Sequence, residues 1–193
     1  MAKPHSPRKR PQPQRRRGLL TKPIVLVGLM GVGKSTIGRR LASRLNMAFV
    51  DADVEIERAA GLSISEIFER YGEQTFRDGE RRVIQRLIDG NVKVIATGGG
   101  AFVQDETRQL ILDHSIAVWI DADIDILVER TSRRNTRPLL RNGDPKEILT
   151  SLAASRTPYY SQAPIHIRSG RGPHDAAVDA IITALHRQGY LTK

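Results

Sequence analysis

Short apolar runs alternate with stretches of helical periodicity along most of the chain. Ile24–Val27 is four aliphatic residues in a row, the pattern of a strand buried on both faces. Lys34–Leu45 carries apolar positions at helical spacing, and Ala48–Val50 is a second strand leading into Asp51-Ala52-Asp53. Residues 54–60 and about 63–71 read as helical, with Ser63 as N-cap and Glu66 completing a capping box. Another helical stretch covers 73–89, and Val92–Thr97 is a third strand ending in Gly98-Gly99-Gly100. A helix near 105–113 precedes strand Ile116–Asp121, in which Trp119 reads as core. Helix 123–132, an Arg-rich loop at 133–144, helix 145–157, strand Ile165–Arg168 and helix 174–188 complete the chain.

Five short strands separated by helices predict an α/β fold, with a parallel sheet covered by helices on both faces. Ligands in such folds sit beyond the carboxyl ends of the strands. The chemically suggestive clusters lie at those ends. After the first strand, Gly28-Leu29-Met30-Gly31-Val32-Gly33-Lys34-Ser35-Thr36 fits G-x-x-x-x-G-K-[ST]. The glycines let backbone N–H groups curl around phosphate oxygens. Lys34 reaches the outer phosphates, the Ser35 hydroxyl ligates Mg²⁺, and the helix start turns its positive end on the anion. The motif predicts a nucleoside triphosphate and Mg²⁺, and leaves open what is done with them.

Asp51 and Asp53 follow the second strand. Two residues apart on extended chain, their side chains point the same way, toward the cleft above the phosphate loop. One is placed to act near the metal, directly or through water, and the other to orient or deprotonate an attacking hydroxyl. The alternative is a polar strand exit with Asp53 capping the next helix. The third strand lacks the metal-organising acid common in such proteins, so Asp51 is expected to do part of that work. Its three glycines instead expose backbone N–H groups and admit a ligand closely. Arg77, Arg137 and Arg156 suit carboxylate capture and charge stabilisation in phosphoryl transfer, but composition alone does not single them out.

Charge changes the picture only after it is located. The 193 residues hold 31 Lys plus Arg and 21 Asp plus Glu, for a net charge of +10. Residues 1–22 contain Lys3, Arg8, Lys9, Arg10, Arg15, Arg16, Arg17 and Lys22 and no acid, which accounts for +8 and leaves +2 for the remainder. The basicity belongs to a Pro-, Gln- and Arg-rich tail, expected to be disordered over residues 1–21. A single domain is expected over 22–193. With no cysteine, there is no disulfide framework, thiolate nucleophile or Cys-ligated metal. No apolar run approaches the roughly 18 residues of a membrane span, and no signal-peptide core follows the basic start. A cytoplasmic monomer without a nucleic-acid partner is expected.

At this point the chain resembles the shikimate kinase family, small P-loop kinases of aromatic amino acid biosynthesis, over roughly residues 22–188. The resemblance rests on Asp51-Ala52-Asp53, Gly72-Glu73-Gln74-Thr75-Phe76-Arg77, Gly98-Gly99-Gly100-Ala101, Arg130-Thr131 ahead of Arg137-Pro138-Leu139-Leu140, and Arg156-x-Pro-x-Tyr. It implies a three-layer α/β/α P-loop kinase fold with substrate-binding helices and a lid at 133–144. It also implies ATP- and Mg²⁺-dependent transfer to the 3-hydroxyl of shikimate, on the route to chorismate. By matching position, Asp53, Lys34 and Arg137 are the catalytic residues. Gly31, Val32, Gly33, Lys34, Ser35, Thr36, Arg130, Arg137 and Arg171 hold the nucleotide, with Arg130 over adenine and the 169–174 loop on its other face. Asp53, Arg77, Arg156 and Gly98–Gly100 bind shikimate, Glu80 steadies the clamp, and Phe68 and Phe76 wall the ring. Ser35 and Asp51 serve the metal.

Two rivals make different predictions. A gluconate kinase of the same architecture shares the nucleotide residues but not an Arg77/Arg156 pair with a glycine triple. A nucleotide-gated nucleic-acid module working through the basic tail predicts salt-dependent binding that tail removal abolishes.

Overall fold

The computed structural model describes residues 20–132 and 143–191. Five parallel strands form one sheet: β1 (Ile24–Val27), β2 (Ala48–Asp51), β3 (Lys93–Ala96), β4 (Ile116–Asp121) and β5 (Ile165–Arg168), in the order β2-β3-β1-β4-β5. β1 is central, and all four of its residues are fully buried, as an unbroken aliphatic run requires. The chain moves to one side of β1 for β2 and β3 and to the other for β4 and β5. The connections diverge there and leave a crevice at the carboxyl ends of the strands.

The helices follow the sequence reading closely: α1 (Lys34–Leu45), α2 (Ala52–Ala60), α3 (Ile64–Ile88), α4 (Asp105–His114), α5 (Ile124–Ser132), α6 (Pro145–Tyr160) and α7 (His174–Arg187). The Ser63–Glu66 capping box is present at the start of α3. Gly72 (φ 76°, ψ 174°) breaks α3 into the two helical stretches expected on either side of it. Phe68 and Phe76 pack across the break with ring centroids 4.5 Å apart. Among the described residues, no helix is long and apolar enough to cross a membrane.

Three expectations need correction. β2 ends at Asp51 and α2 starts at Ala52, so Asp53 is in the first turn of a helix and not on extended chain. Helix α6 does not stop at 157: it runs through Pro158 to Tyr160. Proline costs a helix about 3 kcal/mol in general, and burial of Tyr160, which is 1% exposed, offsets that here. The tail boundary also moves. Leu20 is 8% exposed and belongs to the core, and the Lys22 ammonium donates to the Asp113 carbonyl at 2.9 Å. Two leucines between a run of arginines with Gly18 and Thr21-Lys22 carry no periodicity, which is why the sequence hides the packing of Leu20.

Because Leu20 is packed, where a truncation stops matters. A chain lacking residues 1–21 should be less stable than one lacking 1–19 by about 1.5–3 kcal/mol, the scale of burying one leucine side chain. Thermal unfolding of the two chains measures this, and equal midpoints would remove Leu20 from the core.

Candidate active site

The phosphate loop leaves β1 through Gly28 (φ 134°), Gly31 (φ 84°) and Gly33 (φ 96°), backbone conformations that side chains resist. Gly33 is the N-cap of α1; no side chain caps the helix and no acidic residue occupies its first turn, where Ser35 and Thr36 lie. The positive end of the helix therefore faces the crevice ready for an anion. Val32 is fully buried and anchors the loop. The Lys34 ammonium folds back over it, donating to the Gly28 and Leu29 carbonyls at 2.7 and 2.9 Å.

Ser35 Oγ donates to Asp51 Oδ2 at 2.6 Å, and Asp51 Oδ1 accepts from the Asp53 N–H at 3.2 Å. Asp51, not Asp53, is thus the cap of α2. A hydroxyl beside a carboxylate is a pair of hard oxygens that fits Mg²⁺, which takes few protein ligands and keeps water and phosphate for the rest.

On the far side of the crevice, three elements meet at the turn after β3. A Cβ added to Gly98 would stand 2.8 Å from Asp53 Oδ1 and 3.2 Å from Glu80 Oε1, and one added to Gly100 would stand 2.7 Å from Arg77 Nη2. The Gly99 carbonyl accepts from Arg156 Nη1 at 3.0 Å and from the Tyr160 hydroxyl. Arg77 Nη1 donates to Glu80 Oε2 at 2.8 Å, and Arg77 Nη2 to Glu73 Oε1 at 3.0 Å. Asp53, Arg77, Arg156 and Gly98–Gly100 are therefore gathered in one place, from α2, α3, α6 and the β3 turn.

Glu80 is 1% exposed. Burial pushes its carboxyl above the ordinary 4.5, Arg77 only partly offsets this, and the charge of Asp53 adds to it. For Arg77, burial works against the cation, but Glu80 and Glu73 outweigh it and hold the guanidinium above its ordinary value. The pair is thus secure for the arginine and costly for the glutamate, as expected of a charge taken fully out of water.

Around the phosphate loop, Arg130 donates to the carbonyls of Val32 (3.3 Å) and Gly170 (2.7 Å) and to Ser169 Oγ (3.4 Å). It ties the phosphate loop to the β5–α7 connection. Arg171 lies on the exposed rim of that connection, 3.6 Å from Glu129. His174 comes closer: a Cβ at Gly33 would stand 2.9 Å from its Cε1. Burial first, then the charges of Arg130 and Arg40, keep His174 below the usual 6.5 and so neutral at pH 7. Arg137 and most of the lid expected at 133–144 lie outside the described residues. A cleft of about 700 Å³, lined by Leu20, Lys22, Ser115, Ile116, Pro164 and Tyr190, sits at the opposite, amino-terminal end of the strands and touches none of these groups.

Sequence reasoning placed Tyr160 in the Arg156-x-Pro-x-Tyr pattern but gave it no role, and gave His174 none as a packing partner of Gly33. For Tyr160 a signal existed, its four-residue spacing from Arg156, but the intervening Pro158 reads as a helix end.

The family model for shikimate kinase matches residues 30–186. The chain belongs to the shikimate kinase family. A shikimate kinase from Zymomonas mobilis is 58% identical over 164 residues, which span 85% of this chain and 93% of the relative. Among solved structures, shikimate kinase from Acinetobacter baumannii in complex with shikimate superposes with a TM-score of 0.83 at 37% identity, over 88% of this chain and 96% of that one. A gluconokinase from Sinorhizobium meliloti, with a TM-score of 0.61 at 16% identity over 88% of this chain and 94% of that one, shares the fold alone. The shikimate kinase family uses ATP, which accords with the phosphate loop.

The raised Glu80 carboxyl has a measurable sign. Between 4.5 and its folded value, the folded state holds a proton that the unfolded state has released, so stability falls as pH rises. Glu80→Gln cannot ionise. The unfolding midpoint of the natural chain minus that of Glu80→Gln should therefore decrease as pH is raised through this window and then level off. A difference that grows with pH would mean that Arg77 outweighs burial.

Proposed function

We propose that the chain transfers the terminal phosphoryl group of ATP to the 3-hydroxyl of shikimate, giving ADP and shikimate 3-phosphate. The observation that carries this reading is the convergence of Arg77, Arg156 and Asp53 on the bare Gly98–Gly100 backbone. Two guanidinium groups and a carboxylate around a small pocket suit a polyol that bears one carboxylate. A mononucleotide acceptor would call for a second phosphate site instead.

Arg77 and Arg156 hold the acceptor carboxylate by fork-shaped hydrogen bonding, and Glu80 keeps Arg77 aimed. Asp53 binds the 3-hydroxyl and takes its proton. The oxygen–phosphorus bond to the acceptor forms as the bond to the β-phosphate bridging oxygen breaks, and ADP departs with the charge. Lys34 and the amino end of α1 stabilise the charge on the transferring group. Mg²⁺, with Ser35 and Asp51 as its protein side, neutralises phosphate charge when bound. Arg130 and the 169–174 connection frame the base. Arg137, in the lid over 133–144, adds a cation to the transferring phosphate as the lid excludes water. The domain, on this reading, works as a monomer without the basic tail.

The test is ADP release with Mg-ATP and shikimate, gluconate or single-stranded DNA in parallel. Shikimate should turn over at about 1–100 s⁻¹, the usual kinase range. Efficient use of gluconate with shikimate inert would overturn the reading.

Asp53→Asn keeps the shape of the side chain and removes the proton acceptor. It should lower kcat by about 10²-fold or more while ATP affinity changes little. Full activity in this variant would move the base elsewhere.

A further inference from the structure

We propose that Tyr160 is a positioning residue for the acceptor carboxylate, its hydroxyl holding Arg156 and the glycine turn in register through the Gly99 carbonyl they share. The inference rests on the reading of Arg156 as part of the shikimate clamp.

Helix α6 places positions 156 and 160 one turn apart on one face. Both side chains end at the same carbonyl oxygen, which has two lone pairs and receives two donors, and the Tyr160 oxygen itself accepts from Arg156. The two donors differ in freedom. The Tyr160 ring is packed between Trp119 (centroids 6.0 Å apart) and Phe102 (6.4 Å), so its hydroxyl is a fixed point. The Arg156 stem has many rotamers, and its guanidinium takes its place from what it meets at the tip.

The same ring stack reaches the nucleotide side. Trp119 Cδ1 would lie 3.4 Å from a Cβ at Gly28, the first residue of the phosphate loop. Tyr160 therefore refers the acceptor turn to a scaffold that also backs the donor site. Burial holds the phenol above its usual value of 10, although the adjoining Arg156 pulls the other way, so the donor proton stays in place over the working range.

Tyr160→Phe removes the hydroxyl and keeps the ring. Losing the bond donated to Gly99 and the one accepted from Arg156 should raise the KM for shikimate about tenfold and leave the KM for ATP within about twofold. In an Arg156→Ala background the same substitution should add less than about twofold, because the group it positions is gone. Replacing Tyr160 by 4-aminophenylalanine, which keeps a donor, should restore the shikimate KM, whereas 4-methylphenylalanine, of matching size and without a donor, should behave like phenylalanine. This second pair also serves if Tyr160→Phe folds poorly. An unchanged shikimate KM in Tyr160→Phe, an equal increase in both backgrounds, or a lower kcat with both KM values unchanged would each overturn the proposal. A natural chain inert toward shikimate would refute the function itself, and an Arg156→Ala chain with normal shikimate KM would refute the clamp. Either would remove this proposal with it, but neither would be mistaken for its separate failure.

Discussion

Three residues without side chains, Gly98 to Gly100, set the geometry of the acceptor pocket. Asp53 and Glu80 press against the first, and Arg77 against the third, at distances that leave no room for a methyl group. The middle residue presents its carbonyl to Arg156 and Tyr160. Groups of opposite charge from three separate helices can crowd so small a volume only because the backbone they meet is bare. An alanine there would not merely fill space: it would push a charged group away from the partner that makes its burial tolerable.

That crowding has an energetic consequence. Glu80 is taken out of water next to another carboxylate, and its raised pKa records a cost that Arg77 does not fully cancel. Such a pair adds little net stability, but removing one member leaves the other charge stranded. What the arrangement secures is direction. Arg77 is held by Glu80 on one nitrogen and by Glu73 on another before any ligand arrives, so less side-chain freedom is lost when a carboxylate is bound. The exposed ion pairs that join α1 to α7, Arg40–Asp175 and Arg44–Asp179, contribute far less, because water competes for both partners.

The strands, the phosphate loop and the capping box were legible because each depends on local spacing. An aliphatic run, a glycine pattern between strand and helix, and Ser63 with Glu66 need no distant partner to be recognised. The gathering of Arg77 and Arg156 was legible only through the family resemblance, since 31 basic residues offer no local reason to choose these two. Asp51 and Asp53 were paired for a reason that fails. Strand alternation does not apply once the helix begins at Ala52, and Asp53 reaches Gly98 from a helical turn. The end of α6 was misplaced because Pro158 is a valid local stop signal that the tertiary burial of Tyr160 overrides. Leu20 and His174 were invisible as packed residues for the same reason: what fixes each lies far away in sequence.

The two arginines of the pocket are not electrically equivalent. Arg77 lies between two carboxylates, so its charge is largely cancelled before a ligand arrives. Among the described residues, the hydrogen bonds of Arg156 go instead to neutral oxygens, of Gly99 and of Tyr160. An approaching anion is attracted mainly by Arg156, which has no carboxylate against it among the described residues, and meets Arg77 as a preset template. Arg156 therefore supplies most of the pull and Arg77 most of the orientation. This division also explains why neutral groups hold Arg156. A carboxylate in the place of Tyr160 would fix the guanidinium as firmly, but would cancel the charge that the pocket has to offer.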